Sequence, residues 1–358
     1  MQNYINFPRI TTVYAKIANF AVMKIVVDDK IPYIKGQIEQ ISGQVVYMRG
    51  SDISASDVKD ADVLIVRTRT RCNRDLLEGS SVRLVVTATI GYDHIDTDYL
   101  AEAGIKWTNC LGCNATSVRQ YVHNSLIILG MLRPGLTVGV VGVGHVGSLV
   151  AADLAEAGLH VLKCDPPLEE SGAEGCFVNL DRIAEEADII TFHTPLSKDG
   201  VHPTFHLADK DFFASLKRCP LIINSSRGEV VDNDALVRAL DSGNVCNAVI
   251  DTWEGEPDLN AELLQRAVIA TPHIAGYSAD GKANATRMSL QAVCDFFGMP
   301  FTLNICPPEL PEELRPTSNE PFERALQLYD PMEDTKRLKQ SPEKFEWLRG
   351  NYPLRREF

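Results

Sequence analysis

The chain has 358 residues, 45% of them hydrophobic and 23% charged, proportions of an ordinary globular protein and not of a disordered or fibrous one. The formal net charge is −13, and so acidic a surface excludes nucleic acid and membranes as partners, because phosphate binding needs a basic face. It leaves room for a small anionic substrate in a local basic pocket. At about 100–200 residues per domain the length gives two or three domains, and no run reaches the ~20 apolar residues that cross a bilayer.

Residues 1–22 carry no Asp or Glu and only Arg9 and Lys16 as charges. They show no compact apolar core with a small-residue cleavage site, and we read them as an extension of unclear role. Met23 opens directly onto a strand-like run, Lys24-Ile25-Val26-Val27-Asp28. Strands are predicted at 25–28, 45–48, 63–66, 84–87 and 105–108, with helical stretches at 33–41 and 73–77. A longer apolar-periodic stretch, 115–129, stops at Gly130 with Pro134 beyond.

The rhythm then restarts. Strands are predicted at 137–141, 160–164, 189–193, 221–224, 245–251 and 268–270, and helices at 145–157, 209–216 and 233–242. Near-continuous Val/Ile runs alternating with helices mean parallel strands covered on both faces. A helix over 279–297 returns the chain to the first unit, and prolines from Pro300 to Pro321 mark a change of character. The fold class is therefore α/β: two Rossmann-like parallel-sheet domains flanking a cleft, plus a small C-terminal module. The expected boundaries are 23–115 with 280–299 for the substrate domain, 116–279 for the dinucleotide domain, and 300–358 for the module.

Nine cysteines, an odd number scattered along the chain, indicate reduced thiols and a cytoplasmic protein. Cys110 and Cys113 stand at CxxC spacing, but a zinc site needs two more ligands nearby and none is evident. No metal is expected; a redox pair is the other reading of the spacing.

The segment Val141-Gly142-Val143-Gly144-His145-Val146-Gly147 carries GxGxxG between a β-branched strand and a helix. The next strand ends at Asp165, at about the 20-residue distance that a dinucleotide fold requires. Gly142 permits the tight turn, Gly144 lets the backbone approach a pyrophosphate seated on the helix N-terminus, and Gly147 lets the helix pack on the strand. His145 and Val146 lie inside this turn and go with the cofactor. Asp165 suits the ribose hydroxyls and repels a 2′-phosphate, so NAD is expected rather than NADP.

Three further loops follow predicted strands: Asn224-Ser225-Ser226-Arg227-Gly228, Asp251-Thr252-Trp253-Glu254-Gly255-Glu256-Pro257 and Thr271-Pro272-His273-Ile274-Ala275-Gly276-Tyr277. In a parallel sheet such loops meet at one edge. Arg227, Glu256 and His273 suit oxidation of an alcohol beside a carboxylate. The His takes the hydroxyl proton near neutral pH, the Glu behind it fixes the tautomer, and the Arg presents a fork of donors to the carboxylate. Seven other histidines compete for the same role. The run Val66-Arg67-Thr68-Arg69-Thr70-Arg71 offers a basic loop for a phosphate, with Arg67 the first candidate and Arg69 or Arg71 its neighbour.

The glycine turn, the Ser-Ser-Arg-Gly loop, the Trp-Glu-Gly-Glu-Pro loop and Thr-Pro-His-Ile-Ala-Gly together resemble the NAD-dependent D-2-hydroxyacid dehydrogenase family. The narrower likeness is to members acting on 4-phospho-D-erythronate in vitamin B6 biosynthesis. It rests on 162–167, 191–196, 206–209, 230–233 and 273–277, and runs from about Met23 to the end. The resemblance implies oxidation of that acid to 2-oxo-3-hydroxy-4-phosphobutanoate, with Arg227, Glu256 and His273 catalytic and His273 transferring the proton. It further implies cofactor positions at Asp165, Thr194, Ser225, Ser226, Arg227, Asp251 and Gly276. Thr68, Thr89 and Tyr277 fall at substrate positions, Thr68 standing where relatives carry Ser. Longer members use their C-terminal module to form a homodimer; here the module is shorter, and residues 1–22 have no counterpart. Two other readings stay open: a sister dehydrogenase acting on another 2-hydroxy acid such as 3-phosphoglycerate, and a nucleotide-sensing binding protein on the same fold.

Overall fold

The computed structural model describes residues 23–358, so the expectation for residues 1–22 lies outside the described residues. The chain divides into two compact units. One holds the described residues up to Cys113 together with Lys282–Pro308, and the other holds Asn114–Gly281 together with Glu309–Phe358.

In the first unit five parallel strands, β1 (Lys24–Asp28), β2 (Gln44–Met48), β3 (Val63–Val66), β4 (Leu84–Thr87) and β5 (Lys106–Asn109), lie in the order β2-β1-β3-β4-β5. Successive side chains on a strand point to opposite faces, so the unbroken apolar runs feed two cores. Ile25, Val27, Ile65 and Val86 pack with Leu290 and Val293 of the Ala279–Phe297 helix. Val26, Leu64, Val66 and Val85 pack with Leu77 and Leu100 on the other side.

The helix expected over 33–41 does not form. Tyr33 (φ 59°) and Gly36 (φ 80°) both adopt left-handed backbone, which a right-handed helix cannot include; only a 3-10 turn at Ile38–Gln40 remains. Short helices at Ala55–Val58 and Thr97–Glu102 were not foreseen, being too brief to display a period.

In the second unit six parallel strands, β6 (Thr137–Val141), β7 (His160–Cys164), β8 (Ile189–Phe192), β9 (Leu221–Asn224), β10 (Asn247–Ile250) and β11 (Ile269–Ala270), lie in the order β11-β10-β9-β8-β6-β7. A single parallel bridge from Lys163 to Phe177 continues the sheet beyond β7. With that bridge counted as an abbreviated strand, the order begins 3-2-1-4-5-6, the dinucleotide-binding arrangement, and its switch point falls between β6 and β8. Val138, Val140, Ile223 and Val249 face one core, and Ile190, Phe192, Ile222 and Ile250 the other.

Residues 300–358, which the sequence set apart as one module, are divided by the structure. Leu303 and Ile305 join the core of the first unit, whereas Tyr329, Leu338 and Phe345 join those of the second. The helices Pro321–Leu328, Pro331–Gln340 and Phe345–Gly350 are too short to enclose a core of their own. No helix among the described residues is long and apolar enough to cross a membrane.

Candidate active site

The carboxyl ends of β6, β8, β9 and β10 carry the glycine turn and its neighbours. Gly142 sits at φ 86°, and a Cβ there would lie 2.8 Å from the backbone of His193 and Thr194. Only glycine permits this meeting of the turn with the end of β8. A Cβ on Gly147 would fall on the Gly142 carbonyl, so the helix approaches the strand to contact distance. Gly144 differs: a Cβ there would meet nothing within 4 Å. The space above it is open, as backbone approach by a pyrophosphate demands.

Helix His145–Glu156, with Val146 in its first turn, starts on Gly144 without a side-chain cap or an acidic residue. The helices beginning at 166, 180, 210, 233 and 261 are instead capped by Asp165, Asn179, Asp209, Asp232 and Asn260. Uncapped N–H groups at a helix start attract an anion. Along the same edge the hydroxyls of Thr194, Ser225 and Thr252 are buried without partners, and buried polar atoms seldom stay so unless a ligand satisfies them. The Asp165 carboxylate accepts from Val143 N (2.8 Å) and Leu168 N (3.1 Å), which pins it beside the turn. These residues fit a dinucleotide. His193, beside Thr194, is partly buried with its Nε2 2.9 Å from Thr191 Oγ1, and burial pushes its pKa down to about 3, which keeps the ring neutral.

The loop after β11 carries His273. Its Nδ1 lies 2.8 Å from Glu256 Oε2, and Glu256 Oε1 accepts the Trp253 backbone N–H at 2.8 Å. Burial raises the Glu256 pKa, but the His273 bond and charge, the Trp253 N–H and the charge of Arg349 outweigh it, and the carboxyl titrates below its usual range. A His–carboxylate distance does not by itself single out His273: His206 pairs with Glu254 (2.8 Å) and His123 with Asp153 (2.7 Å). Nor does the backbone, since His206 (φ 49°) shares the left-handed conformation of His273 (φ 55°), which costs about 1–3 kcal/mol and persists only where the surroundings impose it. What sets His273 apart is its loop after β11 and the network that holds its conformation there.

Asp251 imposes much of it. Its buried carboxylate accepts from Thr271 Oγ1 (2.6 Å), Ile274 N (2.7 Å) and Ala275 N (2.9 Å), and its carbonyl accepts from His273 N (2.8 Å). Burial dominates here and raises its pKa against the charge of His273 and these bonds. The side chain expected at a cofactor position is thus committed to the loop. Gly276 follows, where a Cβ would fall on the Asn114 side chain.

Arg227 is held through Asn224. The Asn224 Oδ1 accepts from the N–H and hydroxyl of Ser226 (3.1 and 2.9 Å), and its Nδ2 donates to Arg227 O (2.9 Å). Arg227 Nη1 donates to Ser226 O at 2.8 Å. A Cβ on Gly228 would fall on the Trp253 backbone, so this loop packs directly on the segment that carries Glu256. One unit therefore carries Arg227, Glu256 and His273, with the Arg227 loop packed on the Glu256 segment and Glu256 bonded to His273.

Arg67, Thr68 and Thr89 belong to the first unit, at the carboxyl ends of β3 and β4. Arg67 is half-buried and donates to Lys30 O at 3.1 Å, whereas Arg69 and Arg71 are exposed. Thr89 Oγ1 lies 2.7 Å from Thr87 Oγ1 and donates to Gly91 O at 2.9 Å. Cys110 is buried against Ala285 O and Ser289 Oγ, and burial pushes its pKa up to about 11, the opposite of the lowered pKa of a reactive thiol.

The sequence missed Asn224 and Asp251 as supports, although both stand at strand ends beside the chosen residues. It also missed Arg349, which donates from Nε to Tyr277 Oη at 3.1 Å. No local pattern marks that arginine.

Residues 115–275 match the family described as D-isomer specific 2-hydroxyacid dehydrogenase, NAD binding domain. An erythronate-4-phosphate dehydrogenase of Bacteroides thetaiotaomicron is 54% identical over 94% of this chain and 97% of its own length. One of Porphyromonas gingivalis is 43% identical over 94% of each. NAD+-bound 3-phosphoglycerate dehydrogenase of Entamoeba histolytica superposes with a TM-score of 0.64 at 25% identity, covering 77% of this chain and 95% of that one. Rhodotorula graminis D-mandelate dehydrogenase, at 21% identity, shares the fold with a TM-score of 0.64 over 80% of this chain and 99% of its own. The chain belongs to the erythronate-4-phosphate dehydrogenase family of the D-isomer specific 2-hydroxyacid dehydrogenases.

Proposed function

We propose that this chain oxidises 4-phospho-D-erythronate to 2-oxo-3-hydroxy-4-phosphobutanoate with NAD, a step of pyridoxal 5′-phosphate biosynthesis. The observation that carries the reading is the His273–Glu256 pair at 2.8 Å on a left-handed loop held by Asp251, in a chain more than half identical to enzymes of that name. Bound NAD supplies the hydride acceptor for the C2 hydrogen.

The protein supplies the rest. With Glu256 accepting from Nδ1, the His273 Nε2 is the free base and takes the C2 hydroxyl proton. Glu256 stabilises the imidazolium that forms. The Arg227 fork binds the C1 carboxylate and steadies the carbonyl oxygen as it develops. On the resemblance, Thr68, Thr89, Tyr277 and Arg67 contact the substrate, with Arg67 on the phosphate. The glycine turn with His145, Val146, Asp165, Thr194, Ser225, Ser226 and Gly276 serves the cofactor, while Asp251 holds the His273 loop. We further infer a cytoplasmic location, supported by cysteines that form no disulfide among the described residues, and, on the resemblance, a homodimer.

The test is NADH formation with 4-phospho-D-erythronate, plain erythronate or 3-phosphoglycerate, a 2-oxo acid being added to accept electrons from retained NADH. Turnover with phosphoerythronate alone, abolished in His273→Ala, is expected. Turnover only with 3-phosphoglycerate would overturn the substrate; no turnover despite NAD binding would favour a sensor.

A further inference from the structure

Arg355 is 3% exposed and, among the described residues, no carboxylate lies in hydrogen-bond contact with it. Its guanidinium is instead spent on neutral acceptors. Nη1 donates to Ile274 O and Ala275 O at 3.2 Å each, Nη2 to Ser117 O at 2.7 Å, and Nε to Gln120 Oε1 at 3.0 Å. The group lies 3.6 Å from the Tyr329 ring centroid, and the Arg355 carbonyl accepts from Ala279 N at 2.8 Å.

Ile274 and Ala275 are the two residues after His273. Their N–H groups are held by Asp251, and their carbonyls by Arg355, with Ser117 Oγ also donating to Ala275 O at 2.9 Å. The peptide that follows the left-handed His273 is thus clamped on both polar edges. The adjoining residues tie the clamp down. Arg356 pairs with Asp280 through Nε (2.8 Å) and Nη2 (3.0 Å), Glu357 accepts from Ser278 Oγ (2.6 Å), and Gln120 Nε2 donates to Arg356 O (3.1 Å). A planar fork with five fixed donors can hold successive carbonyls in one geometry; a lysine ammonium cannot.

We propose that Arg355 is a positioning residue for proton transfer, fixing His273 against Glu256 through the carbonyls of Ile274 and Ala275. This rests on the reading of His273 given above. A loop displaced by about 1 Å loses up to about a hundredfold in rate while the cofactor edge is untouched.

The experiment compares Arg355→Lys with wild type, using 4-phospho-D-erythronate and NAD below the melting temperature of both. Expected are a kcat at least tenfold lower, an NADH dissociation constant within twofold of wild type, and an unchanged circular dichroism spectrum. Guanidinium ion at low millimolar concentration raises the kcat of Arg355→Ala severalfold and leaves wild type unchanged. A folded Arg355→Lys with kcat within twofold of wild type overturns the proposal. If neither Arg355 variant folds, Gln120→Met carries the test, because it removes the Nε acceptor and the bond to Arg356 O but leaves the Arg355 bonds to Ser117 O, Ile274 O and Ala275 O. A threefold to tenfold fall in kcat supports the clamp, and a fall of less than twofold overturns it. His273→Ala separates the two levels. Full activity there sinks the proton-transfer reading and the clamp together, whereas an inactive His273→Ala beside a fully active Arg355→Lys sinks the clamp alone.

Discussion

Glu256 bridges His273 and the Trp253 backbone: one carboxylate oxygen lies 2.8 Å from His273 Nδ1, and the other accepts the Trp253 N–H at the same distance. The carboxylate cannot rotate away from the imidazole without abandoning a backbone donor beside the buried Trp253 ring. The pair is therefore preorganised, and its consequences are measurable.

Glu256→Gln removes the charge that stabilises the imidazolium and permits the wrong tautomer. The kcat is expected to fall by about 10²–10⁴, with NAD affinity within twofold of wild type. Steady-state rates and an NADH titration check both; a kcat within tenfold of wild type refutes the coupling.

Gly142→Ala and Gly144→Ala separate folding from binding. The first places a methyl group 2.8 Å from the His193–Thr194 backbone at a positive φ, and both melting temperature and NADH affinity fall. The second has φ −69° and an open Cβ position. Its melting temperature stays within about 1 °C, while NADH binds at least tenfold more weakly because the methyl fills the pyrophosphate space. Thermal denaturation and NADH fluorescence titration read the two effects independently.

Asp165→Asn keeps an acceptor for Leu168 N but removes the negative charge beside the turn. The ratio of kcat/KM for NAD over NADP is expected to drop by about 10–100-fold, mostly through a higher KM for NAD. An unchanged ratio in the assay with both cofactors would place the discrimination elsewhere.

Asp334 has its pKa raised to about 6; burial is the main cause, opposed by the Tyr352 hydroxyl bond and by Arg355 and Arg337. The folded value lies above the unfolded one, so the unfavourable contribution is absent only well below the unfolded value of 3.8 and grows as pH rises from there to about 6. Asp334→Asn retains an acceptor for Tyr352 and is expected to stabilise the protein by about 1–3 kcal/mol at pH 8, and by about a third as much at pH 4.5. Urea unfolding at the two pH values decides the matter; equal stabilities of variant and wild type at pH 8 would reject it.

The strands were legible because parallel strands buried on both faces must be apolar throughout. Thus 63–66, 84–87, 137–141, 160–164 and 221–224 were read with the limits they have in the fold. The glycine turn, Asp165 and the three loops were legible because each carries its own local constraint: a positive φ, a close approach, a charge at a strand end. The stretch 33–41 misled because its apolar spacing suits a helix, while Tyr33 takes a left-handed backbone that no local rule announces.

What the sequence by itself determined is the two α/β units, the cofactor edge, and the identities of Arg227, Glu256 and His273. Only the tertiary structure decided what holds them. Ser117, Gln120 and Asn124 are polar residues at helical spacing on the Ala115–Ile128 helix, yet all three are buried. They receive Ala275, Arg355, Arg356, Ala325 and Tyr329 from segments distant in sequence. Hydrogen bonds to backbone carbonyls leave no trace in residue type, because every residue offers the same carbonyl. Contacts of that kind join Arg355 to the His273 loop, and only folding could reveal them.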